Sequence, residues 1–417
     1  MKQLTVVQTV ISRFLILLLS FGLVIYSTNM WGSEGKGSIS IVIANAAIVG
    51  FFSNIFAGST ISYFASKYKT EKVLLYAYLW SIIVGITISI VFSFYIQGEY
   101  LFYLIGISVF SSLLSANINL FVGRKNIHMF NLYTILQQAI HILFIVALIY
   151  FLKITAVTTF FIAQISCYGL LFLISSFQLL SKCDFSDIGF SKIVLKDMFE
   201  YGWKSQLSAF IQFLNYRLSF YFLEYFEGIA YVGIFSIGVT FSEAIWTLSR
   251  SIAVILYSDI INNKNAENAV EKTRASLKIT FLITLVFVIG VLIVPSQIYV
   301  IIFGKDFYQT KEIILLLSPG IMAIAVSNII GYYFSAINSL GILNIKSLAG
   351  LFITIAFSFY AIPRWGIYGA CIVTTISYCF SSGILFWKFY QITEFRIKDY
   401  LTSRAEINFF LQKLFKK

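Results

Sequence analysis

Residues 31–40 read WGSEGKGSIS, and they interrupt a stretch that is otherwise apolar from Val6 to Phe64. A loose copy lies near the middle of the chain, where residues 227–236 read EGIAYVGIFS. Both stretches share a spacing of glycine, four residues, glycine, two residues and serine: Gly32, Gly37 and Ser40 in the first, Gly228, Gly233 and Ser236 in the second. The separation is close to half of the 417 residues.

Outward from these two stretches the chain is a series of apolar runs, each near the ~20 residues needed to cross a bilayer as a helix. Polar breaks divide it into twelve spans, at 6–30, 38–64, 73–96, 101–122, 132–152, 158–180, 203–226, 232–257, 279–302, 311–336, 345–362 and 366–388. Hydrophobic residues make up 59% of the chain, charged residues 12%, and mean hydropathy is +0.87. A soluble domain carries about 25% charged residues, so the composition excludes a soluble enzyme, a nucleic-acid-binding domain and a disordered tail. The expected fold is all-α: a polytopic membrane protein of about twelve transmembrane helices in two six-helix lobes. Spans 6 and 12 also share an Ile-Ser step, at Ile165-Ser166 and Ile376-Ser377. Because six is even, both halves would insert with the same orientation, as a parallel repeat about a pseudo-twofold axis along the membrane normal. The expected domains are an N-terminal lobe over 1–190, a C-terminal lobe over 191–390 and a cytoplasmic tail over 391–417. Paired bundles of this kind enclose a central cleft, where polar side chains at membrane depth are tolerable.

The net charge of +12 reads as topology rather than as affinity for nucleic acid. With both termini in the cytoplasm, the inner flanks and loops hold 23 Lys+Arg against 11 Asp+Glu, and the outer loops five of each. This is the positive-inside pattern. No cleavable signal peptide is expected, since the first 30 residues run into a full-length span. Four cysteines form no CxxC or disulfide framework, His128 and His141 are too far apart for a helix-face metal site, and no cofactor is implied. Two inner stretches are amphipathic, 190–203 with Val194 and Met198 beside Lys192 and Lys196, and the tail from Arg396 to Lys417. Both can lie on the anionic inner leaflet.

Charges inside spans are the most informative residues. Arg217 and Glu224 lie seven apart on span 7, and Glu243 and Arg250 seven apart on span 8. At ~1.5 Å of rise per residue, Arg217 and Glu243 reach similar depth on antiparallel neighbours and are expected to approach each other. Ser236, Thr240, Glu243, Thr247 and Arg250 form one polar face of span 8. Ser205, Ser208, Gln212, Asn215 and Ser219 form a second stripe on span 7, roughly opposite Arg217, so one face of that span must meet protein. Arginine presents a planar fork of donors that suits phosphate. A cleft holding Arg13, Arg217 and Arg250, with Lys204 near its mouth, suits a pyrophosphate head group, and Gln212, Asn215, Thr240 and Thr247 suit sugar hydroxyls. Glu224 or Glu243, desolvated, can take up a proton or bind a cation during transport. The competing reading is structural: an Arg–Glu pair fixes packing, Arg13 snorkels to the surface, and Ser or Thr hydroxyls bond their own helix. No P-loop, Ser/His/Asp set or HExxH is present, and the expected outer loops are too short to house a polymerase or ligase active site.

On the twelve-span plan, WGSEGKG after span 1, YVGIFSIG after span 7, FGKDF (303–307) before span 10 and PRWGIYGACIVTTIS (363–377) entering span 12, the chain resembles the polysaccharide-transporter branch of the multidrug/oligosaccharidyl-lipid/polysaccharide exporter superfamily, in particular O-antigen flippases of the Wzx type. The resemblance implies a multi-pass protein of the bacterial inner membrane that moves an undecaprenyl-diphosphate-linked oligosaccharide from the cytoplasmic to the periplasmic leaflet by alternating access. It also names a polysaccharide polymerase and a chain-length regulator as candidate partners, besides membrane lipids. In this chain each midplane cation, Arg217 and Arg250, has an acidic residue within reach, which favours a neutral or mixed repeat unit over an acidic one. A small-molecule or drug antiporter of the MATE type is the alternative with the same architecture.

Overall fold

A computed structural model describes residues 2–94, 98–181, 191–262, 266–337, 339 and 341–393. The tail expected at 391–417 lies, beyond residue 393, outside them. The described residues form helices and turns with no strand among them: α1 (Lys2–Ala57), α2 (Ser59–Phe64), α3 (Thr70–Val91), α4 (Gly98–Gly123), α5 (Ile127–Tyr150), α6 (Thr158–Leu180), α7 (Lys192–Glu227), α8 (Ile229–Asn262), α9 (Ala266–Ile293), α10 (Ser296–Phe303), α11 (Thr310–Ala336) and α12 (Gly341–Thr393). Nine of the described stretches are long and apolar enough to cross a membrane. Helices are expected there, because a bilayer core leaves a chain no water with which to satisfy its peptide groups.

Two helices are broken by glycine. α1 loses helical geometry at Gly32 (φ 63°, ψ −164°) and α12 at Gly366 (φ 53°, ψ −130°). Those angles are close to glycine-only territory. Gly228, which separates α7 from α8, also has positive φ, at 96°. The leading glycine of each repeated sequence, Gly32 and Gly228, is therefore a left-handed turn residue between two helices. The prolines divide differently. Pro295 caps α10 and ends the preceding helix, whereas Pro319 and Pro363 lie inside α11 and α12.

The chain forms two compact units, 1–210 and 211–417. In the first, α4 packs against α1, α3 and α6, and α5 against α6. Its core includes Phe56, Leu74, Leu114 and Phe121, with Tyr133 of α5 stacked on Phe121 at 5.5 Å. Buried serines line these helix contacts, and Ser81 on α3 and Ser108 and Ser112 on α4 have no hydrogen-bond partner among the described residues. Small side chains there let backbones approach, which is how helices associate where lipid removes the hydrophobic incentive. In the second unit α11 packs against α8, α9 and α12, around Ile329, Ile330, Phe334, Leu385 and Phe389.

Two sequence expectations need correction. Phe190 of the stretch at 190–203 lies outside the described residues, and Val194 and Met198 do not face lipid but are buried in the first unit's core. Asp197 accepts a 2.7 Å hydrogen bond from Tyr68, and the Ser191 N–H donates to Tyr76 Oη at 2.6 Å. The break expected at 258–278 is largely helical, since α8 runs to Asn262 and α9 starts at Ala266. Charged residues end a hydropathy run without ending a helix, and Lys272 ties α9 to Asp259 of α8 at 2.7 Å.

Gly366→Ala should lower stability in detergent by about 1–3 kcal/mol. The added Cβ also meets the Glu227 carboxylate at 3.1–3.2 Å. Gly290→Ala, in α9 with nothing within 4 Å of its Cβ, is the control and should lose nothing. Equal thermal unfolding of the two variants would contradict the strained turn.

Candidate functional site

The second unit gathers most of the polar residues singled out in the sequence. Arg217 of α7 and Glu243 of α8 meet at 2.5 Å, with side chains 22% and 47% exposed. Their approach is the one expected from their depth on neighbouring helices. The Arg217 guanidinium also lies 5.0 Å from the centre of the Phe220 ring. Tyr221 lies within the fields of both Arg217 and Glu224, and Glu224 has an interaction of its own. Beside the pair, Tyr216, Trp246 and Tyr378 form an aromatic cluster with ring centres 5.3–5.5 Å apart. Gln212 donates to Tyr216 Oη at 2.6 Å.

The hydroxyls of the α8 face turn inward on their own helix. Thr240 donates to the Ser236 carbonyl at 2.9 Å and Thr247 to the Glu243 carbonyl at 2.8 Å. Ser236 and Ser251 do likewise. This is the usual local use of Ser and Thr in helices, and only their lone pairs stay available to a ligand.

Asn215, on the second stripe of α7, is buried and committed to packing. Its Oδ1 accepts from Thr354 and from Ser377, each at 2.9 Å. Ser377 also donates to the Gly350 carbonyl at 2.8 Å, and Ser219 pairs with Thr374 at 3.0 Å. A Cβ on Gly350 would stand 2.5 Å from Asn215 Nδ2, so glycine is what admits the amide. This is the face of span 7 that had to meet protein, and its partner is α12.

Arg250 differs from Arg217. It is exposed, and no carboxylate pairs with it among the described residues. Of the two midplane arginines expected to have an acidic residue within reach, Arg217 alone forms an ion pair among the described residues. Arg250 interacts with the Tyr216 hydroxyl, which also lies in the field of Glu243, and with a second cation, Lys346. Lys346 is only 6% exposed, and its Nζ donates to Ser327 Oγ of α11 at 3.1 Å. At the same level Asn328 of α11 donates to Ser249 of α8 at 3.1 Å. Lys346 stands at the start of the eleventh span read from the sequence and was not singled out there. The missed signal is a four-residue period, Lys346, Gly350, Thr354 and Ser358, all buried along one face of α12. Two cations without an ion-paired carboxylate among the described residues, one of them buried, are costly. An arriving anion would relieve that cost.

Arg13 and Lys204 belong to the first unit. Arg13 is exposed with its guanidinium 5.7 Å from the centre of the Phe130 ring, and Lys204 is exposed on α7.

No protein-family model matches the chain, and no curated protein matches it. Solved structures do. The inward-closed lipid II flippase MurJ superposes with a TM-score of 0.73, at 14% identity over 98% of this chain and 96% of that one. An inward-facing multidrug resistance MATE family transporter of the MOP superfamily gives 0.70, at 16% identity over 91% and 94%. A MOP superfamily transporter from Pyrococcus furiosus gives 0.67, at 16% identity over 95% and 96%. The chain has the fold these membrane transporters share.

Replacing Arg217 and Glu243 by alanine, singly and together, should return a coupling of about 1 kcal/mol in unfolding, the scale of polar pairs in membrane proteins. Strictly additive losses would show that the pair makes no net contribution.

Proposed function

We propose that the chain is a flippase for an undecaprenyl-diphosphate-linked oligosaccharide of a surface polysaccharide, moved from the cytoplasmic to the periplasmic leaflet of the bacterial inner membrane by alternating access. The observation that carries this reading is the Arg250–Lys346 pair, which lacks a carboxylate among the described residues. A diphosphate supplies the missing negative charge, and the guanidinium fork and the lysine suit its oxygens. Gln212, Thr240, Glu243 and Thr247 offer polar groups for the sugar, and Glu224 and Glu243 are the candidates for ion coupling. The likeness to a lipid II flippase supports this reading.

The same proposal reads twelve spans. α1 and α12 each count twice across Gly32 and Gly366. α3 to α6 complete six in the N-terminal half, and α7, α8, α9 and α11 complete six in the C-terminal half. The lobes are then 1–190 and 191–390, with a tail over 391–417 and both termini cytoplasmic. A surface-polysaccharide polymerase and a chain-length regulator are the proposed partners.

A MATE-like small-molecule antiporter is the second reading, favoured by the half-exposed Glu243 and the MATE likeness. Two cations without an acidic partner oppose an organic cation as cargo.

Deleting the gene should abolish surface polysaccharide while lipid-linked units accumulate inside. In complementation, Lys346→Met and Arg250→Gln should each cut export by about tenfold or more, ~1.4 kcal/mol in binding terms, and Lys346→Arg should retain most of it. Unchanged polysaccharide in the deletion strain, with altered drug susceptibility, would select the antiporter instead.

A further inference from the structure

The first unit carries a feature that transport of a glycan does not use. Where α1 and α5 run side by side, an apolar groove of about 240 Å³ opens between them. Leu18, Gly22, Leu23 and Tyr26 line it from α1, and Ile142 and Val146 from α5. Leu18, Gly22 and Tyr26 follow one another at four-residue steps, so they share one helix face. The middle member of that row has no side chain. A Cβ on Gly22 would meet nothing within 4 Å, so the row has a notch that opens into the groove. From Leu18 to Tyr26 the groove extends ~12 Å along the helix, the reach of most of one extended acyl chain. Its lining is almost wholly apolar, as a hydrocarbon occupant requires.

A cation marks one end of the same seam. Arg13 lies five residues before Leu18, ~7.5 Å along α1. Its guanidinium is held over Phe130, which belongs to α5, so the two helices that wall the groove also fix the charge. Arg13 is exposed, and no carboxylate pairs with it among the described residues. One guanidinium matches the single negative charge of a phosphodiester. A diphosphate carries more charge than one arginine balances, and its proposed counter-charges are in the second unit.

We propose that this seam binds one anionic phospholipid of the surrounding bilayer, with the phosphodiester on Arg13 and one acyl chain in the groove past Gly22. The site uses no residue of the Arg250–Lys346 cluster, so it stands whether or not the proposed transport activity does. It reassigns Arg13 from a wall of the substrate cleft to a lipid contact.

The test uses the full-length protein, purified in mild detergent and examined by native mass spectrometry with phosphatidylglycerol and phosphatidylcholine as probes. The wild type should retain one phosphatidylglycerol with about tenfold preference over phosphatidylcholine. Arg13→Gln should erase that preference while leaving weak binding of both lipids. Gly22→Leu should lower retention of phosphatidylglycerol about tenfold with no loss of thermal stability in lipid-free detergent, because the new side chain enters open space. Val146→Phe fills the same groove from α5 and should match it, which keeps the test decisive if Gly22→Leu misfolds. Retention unchanged in both groove-filling variants overturns the site. Equal wild-type retention of the two phospholipids overturns the role of Arg13. Displacement of phosphatidylglycerol by a lower concentration of farnesyl phosphate would make a single-chain isoprenyl phosphate the occupant and overturn the assignment to bilayer phospholipid.

Discussion

A polar group at membrane depth must find its partner inside the protein, because the hydrocarbon around it offers none. Most of the polar side chains in the second unit's helices obey that constraint in the most local way available. The α8 hydroxyls of Ser236, Thr240, Thr247 and Ser251 return to their own helix. Asn215 closes a knot with Thr354 and Ser377. In the first unit Asn117 holds Ser175 and Ser176 at 2.8 and 2.9 Å and accepts from Tyr78. Against that background, a polar group left short of a charge partner is the exception that needs a reason. Among the described residues of the second unit, Lys346 with Arg250 is one such exception.

The contrast between the two arginines shows how residue type alone misleads. Arg217 and Arg250 both lie at membrane depth, each seven residues from a glutamate on its own helix. Arg217 finds Glu243 on the neighbouring helix and becomes half of an ion pair that joins α7 to α8. Glu243 is ion-paired with Arg217 rather than with Arg250, and one of the charges that Arg250 influences, Lys346, has its own sign. The first arginine reads as a packing device whose charge is answered within the fold. The second forms no ion pair among the described residues.

Hydropathy made the helical, membrane-crossing character of the chain legible, because apolar runs of span length, repeated along a whole chain, are stable in little besides a bilayer. The repeated spacing of Gly32 and Gly228 was legible too, but that both are turn residues with positive φ appears only in the structure. The approach of Arg217 to Glu243 followed from counting residues along two antiparallel helices. What stayed hidden has a common cause. A hydropathy window ends where charge begins, but a helix does not. The start of α7 and the start of α9 were both read as loop for that reason. Burial of Val194 and Met198 against the first unit depends on partners distant in sequence, which a helical period cannot name.

The position of Lys346 is a consequence of close packing rather than of a long side chain searching for a place. Its row on α12 continues through Gly350, Thr354 and Ser358, a face of small residues that lets α12 come near its neighbours. At Gly350 the approach is tight enough for the Asn215 amide to occupy the space of a side chain. One turn away, the same face carries the Lys346 ammonium to Ser327 of α11. A lysine held this way has already lost most of its rotamer freedom, so an anion meeting it need not pay again for ordering it. The neutral knot around Asn215 thus positions the charge, although it carries none. The same fold in a drug transporter and in a lipid II flippase differs in cargo. In this chain that packing leaves Arg250 and Lys346 without an ion-paired carboxylate among the described residues.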